Sequence, residues 1–502
     1  MAKYILSHDI GTTSHKCVVF NEKGEMVASA AKNYSTYYDS GGIAEQDPSH
    51  WWDNFIETTS QVMTKVEAKH IAVLSFSAHM NGCLPVNQSG IPLMRSMLHA
   101  DTRSSEIEGE VYAKICEDKL YEMTGNRIDA RYPLLKMYWL RKRRPEIYRE
   151  TAFFLQAKDY LVFKITGNLG ITDYSDASLT GAFHLEKKMW EESLFNELEL
   201  DLAKMPRAVP STEIVGTVQK YVAAETGLME GTPVVIGGGD GACATIGAGC
   251  LHKGDSYISL GTTAWVSKVT DKPLVDPNMR VFTICDLNPQ HYNVLGTMQT
   301  AGAAFEWAIN LLSSIVDWRD LSIIPEYDQF ALELKKVPAG ARGLIFHPYL
   351  LGERSPIWNE KARGGLFGLR LDHDRFDVAK AVLEGIAFAL GSIYEVMNSE
   401  SDTGELRMIG GLSRSESLNQ IISDVLQRQV QLTVHSELAT SLGAAIAGGV
   451  GVQMFPSFQS CQSFVQLGPK FRPNPLHHLV YHRQFNLYKD LYDRIKDLNF
   501  QQ

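Results

Sequence analysis

Asp240 is a lone carboxylate in surroundings that suit catalysis. An apolar segment at residues 233–236 runs into three glycines, Asp240 follows them, and small residues that can begin a helix come next. Glycines at such a point let another backbone or a substrate come very close to the carboxylate. In phosphoryl transfer one carboxylate accepts the proton of the acceptor hydroxyl, and Asp240 is a candidate for that base. An Asp that caps the next helix is the alternative interpretation.

A Gly-Thr-Thr sequence occurs twice, at residues 11–13 and at residues 261–263. Each copy lies between two strand-like segments and therefore predicts a hairpin. Such a turn can close around a phosphate, because glycine lets the backbone approach while N–H groups and hydroxyls donate to the oxygens. The copies lie about half a chain apart, which predicts two similar domains, residues 1–251 and residues 252–502. Two ordinary hairpins, alike by chance, are the alternative.

The two copies differ in the residue that precedes the turn. The first copy has Asp9 where the second has Ser259. A single carboxylate beside a phosphate site suits Mg²⁺, which keeps much of its hydration and is often bound through water. Lys16, just after the first turn, could add a positive charge. The first hairpin is therefore a candidate site for a metal ion and a phosphate.

Gly410 and Gly411 form a further glycine motif in the C-terminal part of the chain. They follow a strand-like segment and precede a predicted helix at residues 416–427. Two glycines in this position could present a flat backbone surface to an adenine ring. A plain strand-to-helix turn is the alternative.

The elements around these motifs predict a mixed α/β fold. Strand-like segments at residues 4–10, 16–20 and 26–34 form a meander. A helix start signal follows at residues 47–49, and residues 71–77 predict a buried strand. A meander followed by alternating helices and strands predicts a mixed sheet flanked by helices.

The composition excludes several classes of protein. The chain has 502 residues, 44% of them hydrophobic and 21% charged, and its formal net charge of −10 argues against nucleic acid as a partner. Seven cysteines without a Cys-x-x-Cys pair predict neither a disulfide framework nor a zinc site. No uninterrupted apolar run is long enough to cross a bilayer. We therefore expect a soluble, cytoplasmic protein that binds neither nucleic acid nor membranes.

Longer motifs resemble the FGGY family of carbohydrate kinases, over essentially the whole chain. Residues 364–369 through 377–384 match the family's C-terminal signature, and residues 133–140 match nearly all of the N-terminal one. Residues 352–356 resemble the family's Gly-Glu-Arg-Thr/Ser-Pro motif. The resemblance implies an α/β protein of two actin-like (ribonuclease H-like) domains. Each would be a mixed five-stranded sheet flanked by helices, with the active-site cleft between them.

The resemblance also implies roles for individual residues. Asp240 would be the catalytic base and would lie, with Asp9, near Mg²⁺. The ATP site would consist of Gly11, Thr12, Thr13, Lys16, Gly261, Thr262, Gly302, Glu306, Gly410 and Gly411. The sugar site would consist of His79, Met80, Asn81, Asp101 and Asp240.

Xylulokinase is the branch of the family that the motifs resemble, with gluconate kinase near it. Xylulokinases carry Gly-Gln-Met-His-Gly where residues 78–82 read Ala-His-Met-Asn-Gly, and they usually have Asn where this chain has Gly241. The resemblance implies ATP-dependent phosphorylation of a pentulose such as D-xylulose, with a sugar acid or polyol as the alternative acceptor. An actin-like nucleotide switch that does not phosphorylate a metabolite is an alternative of another class. Family members are often dimers, so a homodimer is a further expectation.

Overall fold

The structure is a computed structural model in which residues 3–312, 332–397 and 404–498 are described. Two large mixed sheets organise this part of the chain. In spatial order, the N-terminal sheet consists of Ile214–Thr217, Pro233–Val235, Ile71–Ala78, Tyr4–Ile10, Ser14–Asn21 and Met26–Asn33, with Gly238–Gly239 also paired to Ile71–Ala78. The C-terminal sheet consists of Phe282–Cys285, Tyr292–Met298, Ala264–Thr270, Ser256–Leu260, Leu406–Ile409, Val430–Thr433 and Leu467–Phe471.

Five strands have the same order and directions in both sheets. In the N-terminal sheet these strands are, in spatial order, Met26–Asn33, Ser14–Asn21, Tyr4–Ile10, Ile71–Ala78 and Pro233–Val235. Their counterparts in the C-terminal sheet are, in the same order, Tyr292–Met298, Ala264–Thr270, Ser256–Leu260, Leu406–Ile409 and Val430–Thr433. In each set the first three strands are antiparallel neighbours and the last two join in parallel. The repeated Gly-Thr-Thr turns therefore occupy equivalent places in two copies of one strand arrangement.

Each sheet contains seven strands, so the expectation of five strands per sheet is corrected. In the C-terminal sheet, Phe282–Cys285 and Leu467–Phe471 add antiparallel strands at the two edges. In the N-terminal sheet, Ile214–Thr217 adds one edge strand, and a break at Gly237 divides the strand before Asp240 in two. Gly237 has a φ of 68°, in the left-handed region, through which an extended strand does not continue.

Helices cover the sheets and connect their strands. The α-helices of the N-terminal half are Pro48–Met63, Glu108–Tyr112, Glu117–Thr124, Pro133–Arg143, Pro145–Glu150, Ala157–Thr166, Tyr174–Ser178, Glu192–Glu197, Lys220–Thr226 and Asp240–Gly247. In the described part of the C-terminal half, the α-helices with both ends defined are Gly302–Leu312, Arg375–Met397, Glu416–Leu426, Ala439–Gly451 and His478–Ile495, and residues 332–336 are also helical. Short strands in small accessory sheets are Tyr37–Asp39, Ile43–Gln46, Leu84–Val86, Ser96–Met97, Phe153–Leu155, Ile171–Asp173, Phe183–His184, Met189–Trp190, Arg207–Val209, Ile345–His347 and Gly365–Phe367. Within the described ranges, none of the helices combines the length and apolar character needed to span a bilayer.

The first long helix illustrates how the sequence determines the local structure. Asp47 caps it by accepting a hydrogen bond from the backbone N–H of Ser49 at 2.9 Å, and a proline occupies its first turn. Trp51 and Phe55 lie on the same face and are completely buried in the core of the N-terminal half. The predicted helix start at residues 47–49 is confirmed.

Two glycines allow the helices Asp240–Gly247 and Ala439–Gly451 to cross in close contact. A Cβ added at Gly247 would lie 1.8 Å from the carbonyl oxygen of Ala439. A Cβ added at Gly443 would lie 1.9 Å from the carbonyl oxygen of Cys243. Since no side chain fits at either point, glycine is required there. The helix that Asp240 begins is thus packed directly against an element of the C-terminal half.

Candidate active site

Asp240 begins a helix, directly after the broken strand of the N-terminal sheet. Protein surrounds its carboxylate, yet part of the residue remains accessible to solvent. Burial, followed by the negative charge of Asp9, raises the pKa of Asp240 to about 7, and backbone N–H groups at the helix start oppose this shift. A carboxylate with a pKa near the working pH can accept and release a proton, as a general base must.

The glycines before Asp240 contact other parts of the protein. A Cβ at Gly237 would lie 1.9 Å from the carbonyl oxygen of Phe76, and one at Gly239 would lie 2.5 Å from the sulfur of Met80. The expectation that another backbone approaches here holds at Gly237. An approach of the substrate to these glycines has no support in the packing, because protein atoms occupy the space beside them. The glycines let the chain fold tightly around the carboxylate, which raises its pKa.

Asp9 lies at the end of the strand that leads into the first Gly-Thr-Thr turn, and its side chain is buried. Thr440 Oγ1 donates a hydrogen bond to Asp9 Oδ2 at 2.7 Å, and Lys16 lies opposite Asp9 in the neighbouring strand. The Lys16 ammonium donates to the carbonyl oxygen of Glu437 at 3.2 Å. Burial raises the pKa of Asp9, opposed by the hydrogen bond from Thr440 and the charge of Lys16.

Asp9 and Asp240 fit the binding of a hydrated cation. In the described part of the chain, neither carboxylate forms a direct ion pair, and the charge of Asp9 raises the pKa of Asp240. A divalent ion between them would relieve this repulsion. The described residues contain no group of three or more His, Cys, Asp or Glu side chains that could hold a metal ion. Binding through water, which Mg²⁺ favours, is therefore the arrangement that fits these residues.

Protein side chains hold the first Gly-Thr-Thr turn from behind. The hydroxyl of Tyr34 donates to the carbonyl oxygen of Gly11, and the Gln46 amide donates to that of Thr12 at 2.6 Å. Thr13 is exposed at the tip of the turn. With its carbonyl oxygens bound in this way, the turn is preorganised and can present its hydroxyls to a phosphate.

Backbone groups hold the second turn. Gly302 N–H donates to the carbonyl oxygen of Gly261 at 2.9 Å, and the N–H groups of Ala301 and Ala303 both donate to that of Thr262, at 3.0 and 3.1 Å. A Cβ at Gly302 would lie 2.5 Å from the Gly261 oxygen. The structure therefore brings together Gly261, Thr262 and Gly302, which the sequence analysis assigned to one ATP site.

The glycine pair at residues 410–411 lies beside the second turn. A Cβ at Gly410, whose φ is 95°, would lie 2.4 Å from the carbonyl oxygen of Leu260, the residue before that turn. No described atom lies within 4 Å of a Cβ built at Gly411, so its backbone faces open space. Glu306 lies one helical turn after Gly302 and is half-buried. An open backbone surface next to a phosphate-type turn suits a nucleotide.

Asp240 lies between the two hairpins. On one side, Asp9 at the end of the first strand is close enough for its negative charge to raise the pKa of Asp240. On the other side, the hydroxyl of Tyr257, in the strand before the second turn, donates to the carbonyl oxygen of Gly241 at 3.2 Å. The indole of Trp265, in the strand after that turn, donates to the Tyr257 hydroxyl at 2.9 Å. Both hairpins therefore abut the start of the Asp240 helix.

The loop with His79 and Asn81 presents buried polar atoms that lack partners. His79 N–H donates to the carbonyl oxygen of Ile10 at 2.8 Å, but neither ring nitrogen of His79 is hydrogen-bonded in the described structure. Burial, followed by the charges of His99 and Lys136, lowers the pKa of His79 to about 3, so the ring is neutral. The side-chain oxygen of Asn81 is also buried and unpaired. Such atoms need a polar partner, and sugar hydroxyls could provide one.

Asp101 is placed differently from the expectation that it contacts the sugar. Its side chain has no exposed surface. Its carboxylate accepts hydrogen bonds from Arg103 Nε at 2.9 Å and Nη2 at 2.6 Å, and from the backbone N–H of Ala44 at 2.9 Å. The geometry therefore does not support a sugar contact. Asp101 instead fixes the loop in which it lies.

Three residues near the sugar loop, Lys136, His99 and Arg354, were missed as individual candidates, although Lys136 and Arg354 lie in the family motifs at residues 133–140 and 352–356. Lys136 is completely buried and donates to the carbonyl oxygens of Asn81 at 2.8 Å and Leu98 at 2.5 Å. Burial, followed by the charges of Lys136 and Arg354, lowers the pKa of His99 to about 4. Within the described structure, Nε of the Arg354 guanidinium is buried and has no hydrogen-bond partner. The residue types alone did not reveal that these three side chains converge.

Sequence profiles of one protein family match both halves of the chain. The profile for the N-terminal domain of the FGGY family of carbohydrate kinases matches residues 4–247. The profile for the C-terminal domain of that family matches residues 256–452.

Individual relatives match over nearly the full length. A xylulose kinase of Bacillus subtilis is 30% identical over 501 residues, which are 99% of this chain and 98% of that protein. A gluconokinase of Bacillus subtilis is 30% identical over 479 residues, covering 95% of this chain and 92% of that protein. The crystal structure of a ligand-bound xylulose kinase from Lactobacillus acidophilus superposes with a TM-score of 0.92 at 26% identity and covers 99% of both chains. The paired hairpins and the matches across both halves show that this chain belongs to the FGGY family of carbohydrate kinases.

Proposed function

We propose that the protein transfers the γ-phosphoryl group of ATP to a hydroxyl of a small carbohydrate, with Asp240 as the general base. The placement of Asp240 carries this proposal. Its carboxylate lies at a helix start between two hairpins of the phosphate-binding type, next to a loop with unpaired polar atoms. A base in this position is close to both an acceptor and a polyphosphate.

The chemical step requires one proton transfer and one exchange of bonds. Asp240 accepts the proton of the sugar hydroxyl while the hydroxyl oxygen forms a bond to the γ-phosphorus. The bond from that phosphorus to the bridging β-oxygen breaks, and ADP leaves. The proton then passes from Asp240 to solvent, for which the accessible part of the residue provides a route.

The remaining candidate residues bind and orient the nucleotide. The turn at residues 11–13 and the turn at residues 261–263 would donate to the phosphates from opposite sides. The open backbone at Gly411 leaves room for the adenosine. A Mg²⁺ ion held through water by Asp9 and Asp240 would supply positive charge to the phosphate oxygens. Asp9 keeps its place through its hydrogen bond with Thr440.

We propose a pentulose such as D-xylulose as the acceptor. A full-length relative named as a xylulose kinase and a superposable structure of another support this choice. His79, Met80 and Asn81 would contact the sugar. Xylulokinases carry His where this chain has Asn81, and Asn where it has Gly241. The distance to which polar side-chain atoms extend towards the sugar therefore differs. A Cβ at Gly241 would make ordinary contact with Met80 at 3.7 Å, which leaves this side of the pocket apolar.

A sugar acid is the second candidate acceptor. A gluconokinase matches the chain over nearly its full length. The guanidinium of Arg354 lies close enough to His99 to lower its pKa, and Arg131 adds a further positive charge there. A carboxylate at the end of the substrate remote from the transferred phosphate would find these charges favourable. ADP release measured across pentuloses, hexuloses, polyols and aldonic acids would decide between the two.

The variant Asp240→Asn tests the role of the base. It preserves the shape of the side chain but cannot accept a proton, so we expect kcat to fall by at least about 100-fold, with both KM values within about threefold. Asp286→Asn is a matched control, because Asp286 is also buried with a pKa raised to about 7, but its carboxylate binds the backbone N–H of Asn288 in another loop. A residual rate above about one hundredth in Asp240→Asn would contradict the proposal. ATP turnover that no sugar stimulates in the unmodified protein would favour a nucleotide switch.

A further inference from the structure

A buried cluster of one lysine and three carboxylates lies behind the segment that carries Asp240. The ammonium of Lys158 lies 2.9 Å from Asp159 Oδ1, 3.0 Å from Asp173 Oδ1 and 3.1 Å from Asp176 Oδ2. None of these four side chains is more than 1% exposed. Burying such a group costs free energy unless further hydrogen bonds fix its members. The hydrogen bonds that lead away from the cluster therefore show which parts of the fold it supports.

One connection leads from the cluster to Asp240. The hydroxyls of Ser175 and Ser211 both donate to Asp173 Oδ2, at 2.6 and 2.7 Å. The Ser175 oxygen also accepts a hydrogen bond from the backbone N–H of Gly239 at 2.9 Å. Gly239 directly precedes Asp240, so a continuous chain of polar contacts joins the cluster to the peptide that carries the base.

This contact is one of several that hold the segment before Asp240, together with the hydrogen bond from Gly237 N–H to the carbonyl oxygen of Ser211 at 3.1 Å. Among the described strands, Gly238–Gly239 pairs only with Ile71–Ala78. On its other side, a Cβ at Gly238 would lie 2.7 Å from Ser175 Oγ and 3.3 Å from Asp173 Oδ2. The glycine thus permits the serine to approach closely. Ser175 therefore holds the short segment from the side that lacks a neighbouring strand.

A second connection leads from the cluster to the sugar loop. Gln156 Nε2 donates to the carbonyl oxygen of Asp176 at 3.0 Å, and the Gln156 backbone N–H donates to Asp159 Oδ2 at 3.0 Å. The side-chain oxygen of Gln156 accepts a hydrogen bond from the N–H of Gly82 at 3.2 Å. One buried group therefore supports both the segment before the base and the end of the loop at residues 78–82.

We propose that Ser175 is a positioning residue for the phosphoryl transfer. Its hydroxyl links the fixed carboxylate of Asp173 to the Gly239 peptide and thereby holds the Asp240 carboxylate at the distance from the acceptor hydroxyl that proton transfer requires. This inference rests on the proposed function. A base displaced by about 1 Å can lose about 100-fold in rate, although every group that binds substrate is still present.

Two matched variants test the proposal in the full-length protein. Ser175→Ala and Ser211→Ala each remove a buried hydroxyl that donates to the same oxygen of Asp173, but only Ser175 also contacts Gly239. We expect kcat to fall about 10- to 100-fold in Ser175→Ala, with KM for ATP and sugar within about threefold. We expect Ser211→Ala to keep kcat within about threefold, while its thermal midpoint falls by as much as that of Ser175→Ala.

The outcomes separate this inference from the proposed function. If the unmodified protein phosphorylates its sugar and Asp240→Asn does not, the proposed function stands. In that case, equal kcat values for Ser175→Ala and Ser211→Ala, each expressed per folded molecule, would overturn the role of Ser175. A rise in KM with unchanged kcat in Ser175→Ala would also overturn it, since a displaced base lowers kcat. If no sugar stimulates ADP release by the unmodified protein, both proposals fail together.

Discussion

The two Gly-Thr-Thr hairpins occupy equivalent places in two similar sheets but are built differently around the turn. In the first hairpin, Asp9 lies opposite Lys16 across the strands. In the second, Ser259 lies opposite Trp265. An acidic and basic pair in one copy is therefore replaced by a neutral pair in the other.

The turns themselves are also held differently. Side chains of Tyr34 and Gln46 bind the carbonyl oxygens of the first turn, whereas backbone N–H groups at the start of a helix bind those of the second. The first turn lies beside the two buried carboxylates, and the second lies beside the open backbone at Gly411. The repeated fold supplies two turns of the same shape. Under the proposed function, the residues around each turn would place the cation and the reacting groups at the N-terminal copy and the nucleotide at the C-terminal copy.

Replacing the carboxylate of Asp9, in the first hairpin, should have the largest effect on catalytic activity. We expect Asp9→Asn to lower kcat/KM by about 100- to 1,000-fold, because a charge that stabilises the cation and the phosphates is lost, corresponding to about 3–4 kcal/mol. The equivalent change in the other hairpin, Ser259→Ala, should stay within about threefold, since that side chain carries no charge. Steady-state rates measured over a range of Mg²⁺ concentrations would test both. Equal losses in the two variants would show that the hairpins are not specialised.

A methyl group in the second hairpin should impair nucleotide binding. Gly302→Ala places a Cβ 2.5 Å from the carbonyl oxygen of Gly261, and the neighbour is backbone that cannot move aside. We expect the KM for ATP to rise about tenfold, with the KM for the sugar unchanged. Gly109→Ala, in the helix Glu108–Tyr112, is the control, because no described atom lies within 4 Å of the added carbon and the proposed nucleotide site does not include this helix. An equal rise in the KM for the sugar would indicate that the second turn also shapes the acceptor site.

The sequence allowed prediction of the parts of the site that depend on local chemistry. Gly-Thr-Thr between two strand-like segments predicts a hairpin wherever it occurs, and both hairpins are present. The two mixed sheets flanked by helices agree with the fold that the family motifs imply. Asp240 was found because an apolar segment runs into three glycines directly before a lone carboxylate, and glycines there allow a close approach to it. The hairpins and Asp240 depend on neighbours in the sequence, so residue type and spacing suffice to predict them, whereas the fold of the two domains was implied by the family resemblance.

The features that could not be predicted depend on distant residues. The family resemblance placed Asp101 in the sugar site, but Arg103 and the backbone N–H of Ala44 bind its carboxylate inside the protein. The cluster around Lys158 gave no signal, because charged residues are usually exposed and nothing in the local sequence shows that they meet. The partners of the glycines before Asp240 come from separate segments as well. Tertiary packing determines each of these contacts.

The pH dependence of the reaction tests the contact between Asp9 and Asp240. The base must be deprotonated, so kcat/KM should rise with pH and level off above a midpoint near the pKa of about 7. Part of that pKa is due to the negative charge of Asp9. In Asp9→Asn the midpoint of the residual activity should therefore move to lower pH. Ser259→Ala should leave the midpoint unchanged. A midpoint that is the same in Asp9→Asn and in the unmodified protein would contradict the proximity of the two carboxylates.

The smallest expected effect is on the free energy of unfolding, which should increase when the carboxylate of Asp240 is removed. The pKa of Asp240 in the folded protein, about 7, exceeds the value of about 3.9 in an unfolded chain, so folding favours the protonated form. Stability is therefore lost as pH rises from about 4 to about 7, and Asp240→Asn avoids this loss. Because part of the residue is accessible to solvent, we expect a gain of only about 1–2 kcal/mol in the free energy of unfolding at pH 8. Urea unfolding at pH 5 and pH 8 would measure it. Ser259→Ala retains Asp240, so its difference in stability from the unmodified protein should be the same at both pH values. If Asp240→Asn were less stable than the unmodified protein at pH 8, the carboxylate would instead be a group that stabilises the start of its helix.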